Sequence, residues 1–311
     1  MKTENFRKIL KVTSPIASMV SPKARLFIAT YVKLEWIRTL LDPNSMRNYA
    51  RISKKPYITR IKLNSGIRIF VDINDIMGYR TALNGKWDDT ALQVVVQFPT
   101  EGTIYIDIGA NIGLTCIPIA KLDYETIAFE PNPIALELLT KNVALNSPKN
   151  LYLFPFAVSS NSEVERVEIF VPKGNIGASS TNSKWSPGVD ELTLFSVPTV
   201  SLQAALEFLF PNNLVEQFTN VIIKIDIEGH EDTAINGSES LISQLRPVII
   251  FENNPTDENV EERFWSKWVD YKFVVINDKN IETFHQSKRY ENVIAIPSEK
   301  YEYLIRRLEK L

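Results

Sequence analysis

Four residues spaced two apart, Asp107, Gly109, Asn111 and Gly113, bring a carboxylate, an amide and two glycines to one turn, a composition suited to a nucleotide-type cofactor. The run before them, Ile104, Tyr105, Ile106 and Ile108, is apolar, β-branched and aromatic, as a buried strand is. Glycine lacks a Cβ, so Gly109 and Gly113 let the backbone approach a ligand, and the helix that follows opens with unpaired N–H groups. A dinucleotide fingerprint would space its glycines as G-x-G-x-x-G. Here the order is D-x-G-x-N-x-G, and that pattern is absent.

Two further acidic positions fall where the same chemistry would need them. Glu130 ends the second strand within AFEPNP, and a carboxylate there matches the two adjacent hydroxyls of a ribose. The apolar run from Val221 in VIIKIDIEGHED delivers Asp226, Glu228, His230, Glu231 and Asp232 to the carboxyl end of a strand, outside which ligands bind in parallel sheets. Glu231 and Asp232 read as first-turn residues that complement a helix dipole. Asp226, Glu228 and His230 thus fall where a substrate should lie. Glu252 ends the fifth strand, and with Asp226 and Glu228 it would offer oxygens to a magnesium ion, but no compact ligand spacing supports this, so no metal is expected. His285 falls in a polar loop and reads as solvated.

The elements that must position these groups follow from pattern. Strands are expected over 103–108, 126–130, 151–158, 221–227, 247–251, 272–277 and 292–297, with Pro155 demoting the middle of the third. Helical patterns fill 133–146, 201–210, 231–244 and 257–269. Together they predict an α/β fold, a doubly wound, mostly parallel seven-stranded sheet covered on both faces. Residues 57–73 alternate across Asn64-Ser65-Gly66 and predict a hairpin. The division expected is a basic helical extension over 1–56, a hairpin and helical lead-in over 57–100, and a cofactor-binding domain over 101–311. Residues 172–190 lack periodicity and read as a substrate-binding lid.

Composition sets bounds. The 311 residues are 44% apolar and 23% charged with a formal net charge of −2, which carries no global nucleic-acid signature. The charge is uneven: residues 1–60 hold 13 Lys and Arg against 3 Asp and Glu. Within them Leu26, Tyr31, Leu34, Ile37 and Leu41 recur at helical spacing over a basic segment, 22–41. That segment reads first as a helix docked on the main domain, and second as a peripheral contact with an anionic membrane. The one cysteine, Cys116, excludes an internal disulfide and reads as a small packing residue. No apolar run reaches the roughly 18 residues of a membrane span, and no signal-peptide apolar region is present, so a cytoplasmic protein is expected.

In order, DIGANIG (107–113), FEPNP (129–133), the Asn142 and Asn146 pair, AVSS (157–160), GASS (177–180), KIDIEGHE (224–231) and INGSESLISQLRPVIIFE (235–252) resemble the FkbM family of S-adenosylmethionine-dependent methyltransferases. The lead-in DINDIMGYRTALNGKW (72–87) is similar as well, so the resemblance covers about residues 70–255. It implies the class I methyltransferase fold, S-adenosylmethionine as cofactor, and methyl transfer to a hydroxyl or carboxyl of a sugar, glycan or other natural product. Carried over by position, Asp107, Gly109, Asn111 and Gly113 would hold the methionine end and Glu130 the ribose. Asn132 and the Phe156-Ala157 backbone would meet the adenine edge, and Asp226 would face the methyl. Transfer to a hydroxyl would need a base, for which His230, Asp226 and Glu228 are the candidates, His230 reading equally as a capping or packing residue. The chain departs from the family at Gln203, where an acidic residue is common.

Two other classes of function fit the sequence less well. A nucleic-acid methyltransferase would want stacking aromatics and a basic channel, and the N-P-P-Y type motif of base N-methylation is absent, so no nucleic-acid partner is expected. A noncatalytic binding module is disfavoured by the presence of Gly109, Gly113, Glu130 and Asp226 together. Acceptor identity and oligomeric state are not encoded locally.

Overall fold

A computed structural model describes residues 56–160, 164–182, 191–211, 214–228, 231–236, 238–253, 270–277, 280–284 and 290–310. The basic segment 22–41, the helix expected over 257–269, His230 and His285 lie outside them.

The hairpin forms as expected. Strands β1 (Ile58–Lys62) and β2 (Arg68–Asp72) pair antiparallel, with Gly66 in the turn at φ +88°. Asp75 then caps helix α1 (Ile76–Asn84), its carboxylate accepting from the N–H groups of Met77 and Gly78. Gly85 ends it at φ +71°. Helix α2 (Thr90–Val95) follows.

β3 (Thr103–Ile108) is buried along its whole length because it lies inside the main sheet, between β4 (Glu125–Phe129) and β9 (Asn220–Ile225), parallel to both. β5 (Leu151–Phe154) extends the parallel set beyond β4, and β10 (Val248–Asn253) extends it beyond β9. β13 (Tyr290–Pro297) runs antiparallel between β10 and β11 (Tyr271–Asn277). Among the described residues the sheet has eight strands rather than seven, because β12 (Asn280–Thr283) folds back on β11 as a short hairpin arm.

Alternation along the strands sorts the core into layers. Ile104, Ile106 and Ile108 share a cluster with Leu202 and Leu206 of α5 (Leu202–Leu209), Ile235 of α7 (Glu231–Asn236) and Ile242 of α8 (Glu239–Leu245). Tyr105 points into the other layer with Val94 and Ile117, the latter from α3 (Cys116–Ala120), and with Leu304 of α9 (Ser298–Leu308). Cys116 is buried there, as its packing role requires. The single helix expected over 231–244 is two. At α5 the cap is Ser201, whose Oγ accepts from Ala204 N–H at 3.1 Å, so helix capping does not need the acidic residue that Gln203 replaces. No helix among the described residues is long and apolar enough to cross a membrane.

A third layer was not anticipated. Pro155 ends β5, and the chain re-enters as β6 (Ala157–Ser159), which pairs with β8 (Leu192–Ser201), itself antiparallel to β7 (Arg166–Pro172). This small sheet packs with the hairpin and α1 through Ile69, Val71, Met77, Ile169, Val171 and Val197, beside Ile112 and Leu114 from the turn after β3. α4 (Pro133–Asn146) ties the hairpin down: Asn142 accepts from Phe70 N–H and donates to the carbonyls of Phe70 and Ile112, and Asn146 donates to Arg68 O at 2.7 Å. The aperiodic segment after β7 holds a 3-10 turn, Ile176–Ala178, bonded back to the lead-in by Ile76 N–H to Gly174 O at 3.0 Å.

Candidate active site

The turn after β3 is shaped by close packing as much as by access. A Cβ on Gly109 (φ +91°) would lie 2.1 Å from the carbonyl oxygen of Asp226, and one on Gly113 (φ +89°) 2.6 Å from Cδ1 of Ile117. The first glycine therefore lets β3 and β9 release their chains side by side, and the second seats α3. Asn111, at φ +51°, takes the left-handed conformation that asparagine tolerates.

Glu130 reads that turn directly. Its Oε2 accepts from Asn111 N–H at 2.7 Å and its Oε1 from Asn132 N–H at 2.8 Å. Burial pushes its pKa up to about 7, against the lowering effect of the two backbone bonds. Asn132 spends its side chain on structure: Oδ1 caps α4 through Ile134 N–H, and Nδ2 donates to Ser179 Oγ at 2.9 Å.

Asp107 is fully buried and takes a hydrogen bond from the Thr115 hydroxyl on Oδ2, while Oδ1 is buried without a partner among the described residues. Burial raises its pKa and the nearby Lys224 ammonium opposes that shift. Lys224 is the residue sequence reading left without a role. It stands in register beside Asp107 across the β3–β9 pair, is buried, and places Nζ 2.7 Å from Asp226 Oδ2. Burial pushes its pKa down, but the carboxylates of Asp226, Asp107 and Asp88 outweigh that and hold it above the usual lysine range. The signal available was a lone lysine inside an otherwise apolar strand.

Asp226 and Glu228 reach one place with Glu252 from the end of β10: ligand oxygens of the three lie within 4.8 Å of one another. The fold thus supplies an oxygen cluster that linear spacing did not show. Glu228 sits at φ +45°, and its carbonyl accepts from Ser180 Oγ at 2.8 Å.

Two cavities meet over these groups. The smaller, about 70 Å³, is lined by Phe129, Glu130, Phe156, Ala157, Ile169 and Ser179 among others. The larger, about 700 Å³, is bounded by Arg80, Trp87, Asp88, Lys224, Glu228 and Glu252 among others. Gly109, Asn111, Gly177 and Asp226 line both. Gly113 lies under the turn and lines neither. The larger cavity also exposes what the sequence reading missed: Arg80 and Trp87, inside the family-like lead-in 72–87 but given no site role there, and Asp88 just beyond it.

A family profile described as Methyltransferase FkbM domain matches residues 107–286. The hexuronic acid methyltransferase AglP of Haloferax volcanii is 26% identical over 169 residues, 54% of this chain and 62% of that protein, so the match spans less than two thirds of that relative. Among solved structures, the methyltransferase FkbM of Methylobacillus flagellatus KT gives a TM-score of 0.38 at 14% identity, covering 91% of this chain and 57% of that one. TYW2 of M. jannaschii, solved with AdoMet, gives 0.38 at 14% identity, covering 78% and 86%.

Proposed function

The chain belongs to the FkbM methyltransferase domain family, and on that premise we propose that it moves the methyl group of S-adenosylmethionine to an oxygen of a sugar or glycan. The observation that carries this reading is the meeting of a small, largely apolar cavity with a large polar one at Gly109, Asn111, Gly177 and Asp226. The one suits a flat base and the other a hydroxylated acceptor. The relative AglP, named for hexuronic acid, supports a sugar as the acceptor class.

The residues present fit the cofactor. Phe129, Phe156 and Ala157 offer apolar walls for a base, and Glu130 offers carboxylate lone pairs beyond the two it uses for Asn111 and Asn132. Asn111 Oδ1 and Asp88 Oδ2 are buried acceptors without partners among the described residues, and both residues line the large cavity, as an ammonium group would require. When bound, S-adenosylmethionine supplies an electrophilic methyl group. The protein's part is to align the acceptor oxygen, worth about 7 kcal/mol or more, and to take its proton. Asp226 and Glu228, with Glu252, supply the proton-accepting oxygens within the described residues.

Calorimetric titration with S-adenosylhomocysteine tests the reading. Micromolar binding that weakens in Glu130→Ala supports it; a wild-type protein that does not bind would end it.

A further inference from the structure

Among the described residues three cations line the large cavity, and two are neutralised within it: Lys86 pairs with Asp89 at 2.8 Å and Lys224 with Asp226 at 2.7 Å. Arg80, half-buried on α1, has neither ion pair nor hydrogen bond among the described residues. A guanidinium partly withdrawn from water keeps five donors in a planar fork that matches a carboxylate or phosphate. Leaving it without an anion is costly, so its place in a cavity points to a negative group on the ligand.

Its surroundings describe the rest of that ligand. Trp87 offers a half-buried ring of the kind on which a sugar's C–H face can rest. Asn84, Gln93 and Asn175 offer amides to hydroxyls. The acidic cluster sets which group can react. Asp226, Glu228 and Glu252 lie within 4.8 Å of one another, and three carboxylates repel an incoming anionic nucleophile while a neutral hydroxyl finds acceptors for its proton.

We propose that the acceptor is an anionic saccharide, held through its negative group by Arg80 and presenting a hydroxyl to the Asp226, Glu228 and Glu252 carboxylates. This rests on the methyltransferase reading. In the step, the hydroxyl oxygen forms the new C–O bond and the S–CH3 bond breaks, its electron pair staying on sulfur to leave S-adenosylhomocysteine. The hydroxyl proton passes to a carboxylate and then to water. The product is a methyl ether, and the anion at Arg80 is untouched.

The test uses the full chain saturated with S-adenosylhomocysteine and titrated with three methyl glycosides: a neutral hexoside, a hexuronoside and a 6-phosphohexoside. One anionic glycoside binds more tightly than the neutral one by about tenfold or more, the scale of a single charge-assisted pair. Which anion prevails distinguishes carboxylate from phosphate. The preference disappears in Arg80→Ala and survives in part in Arg80→Lys, and with S-adenosylmethionine the transferred methyl resists alkali that cleaves esters. Equal binding of all three glycosides, a preference that persists in Arg80→Ala, or an alkali-labile methyl overturns the proposal. So does loss of S-adenosylhomocysteine affinity in Arg80→Ala to the extent seen in Glu130→Ala, because Arg80 would then hold the cofactor's own carboxylate. Failure of the wild type to bind S-adenosylhomocysteine is a different result, and it removes the methyltransferase reading itself.

Discussion

Lys224 and Asp226 leave the same strand two residues apart, and the lysine Nζ lies 2.7 Å from the aspartate Oδ2 at the mouth of the large cavity. The same lysine stands beside Asp107, its register partner on β3. One buried cation thus offsets two carboxylates that the parallel pairing of β3 and β9 brings together.

Removing that cation strands both acids. Lys224→Met should cost about 3 kcal/mol, the low end for breaking a buried pair, because the Asp226 side chain is 39% exposed and partly screened by water. Urea unfolding of the variant measures it. A loss no larger than that of an exposed surface pair would mean that water, and not Lys224, solvates Asp107.

Glu130 gives a pH dependence of defined sign. Burial raises its pKa from 4.5 to about 7, so the folded protein retains the proton more tightly than the unfolded chain. The stabilisation is complete below about pH 4.5 and is lost as pH rises through about 7, a fall of ~3 kcal/mol across that window. Unfolding free energies of wild type and Glu130→Gln, taken at several pH values, should differ by an amount that follows this window. S-adenosylhomocysteine affinity should move the opposite way in the wild type, strengthening as Glu130 ionises and accepts hydroxyl protons. A difference that is flat with pH would show Glu130 to be charged throughout.

What local sequence revealed and what it hid divide along a physical line. β3 and its glycine turn were legible because burial, strand propensity and φ above zero are each written in neighbouring residues. So were the β1–β2 hairpin, from Gly66 and the alternation around it, and α4, from the helical pattern over 133–146. β7 and β8 were not, since neither carries an unbroken apolar run and Pro198 sits inside β8 like a breaker. The approach of Glu252 to Asp226 and Glu228, and the place of Arg80 in the cavity they line, depend on which strands are neighbours and on how the lead-in packs beside them. That information is long-range, and no spacing within one segment carries it.

Asp75 joins the two walls of the cavity. Its Oδ1 accepts from Met77 N–H at 3.0 Å at the start of α1, and its Oδ2 accepts from Ile176 N–H at 2.8 Å in the turn whose Gly177 lines both cavities. An asparagine can accept with its oxygen only, so Asp75→Asn must give up either the cap or the turn. The cost should be about 1 kcal/mol in stability. The larger effect should fall on the KM for acceptor rather than on kcat, because the turn borders the cavity and carries no acid of the cluster. Equal losses in both constants would show that the turn also places reacting groups.

Asn142 makes the sharpest distinction between charge and hydrogen bonding. Its amide mimics a strand, accepting from Phe70 N–H while donating to Phe70 O and, at 2.9 Å, to Ile112 O, and it is fully buried. Asn142→Asp keeps the acceptor and the volume, but it aims a carboxylate at two carbonyl oxygens. Burial and that repulsion should make it worse than Asn142→Ala, which loses the bonds and leaves a small void at about 2 to 4 kcal/mol. Thermal unfolding should therefore rank wild type above Ala above Asp at neutral pH, with the Asp variant recovering toward acid as its carboxyl takes a proton and regains a donor. An Asp variant as stable as wild type at neutral pH would mean that the hairpin is held to α4 by its apolar contacts alone.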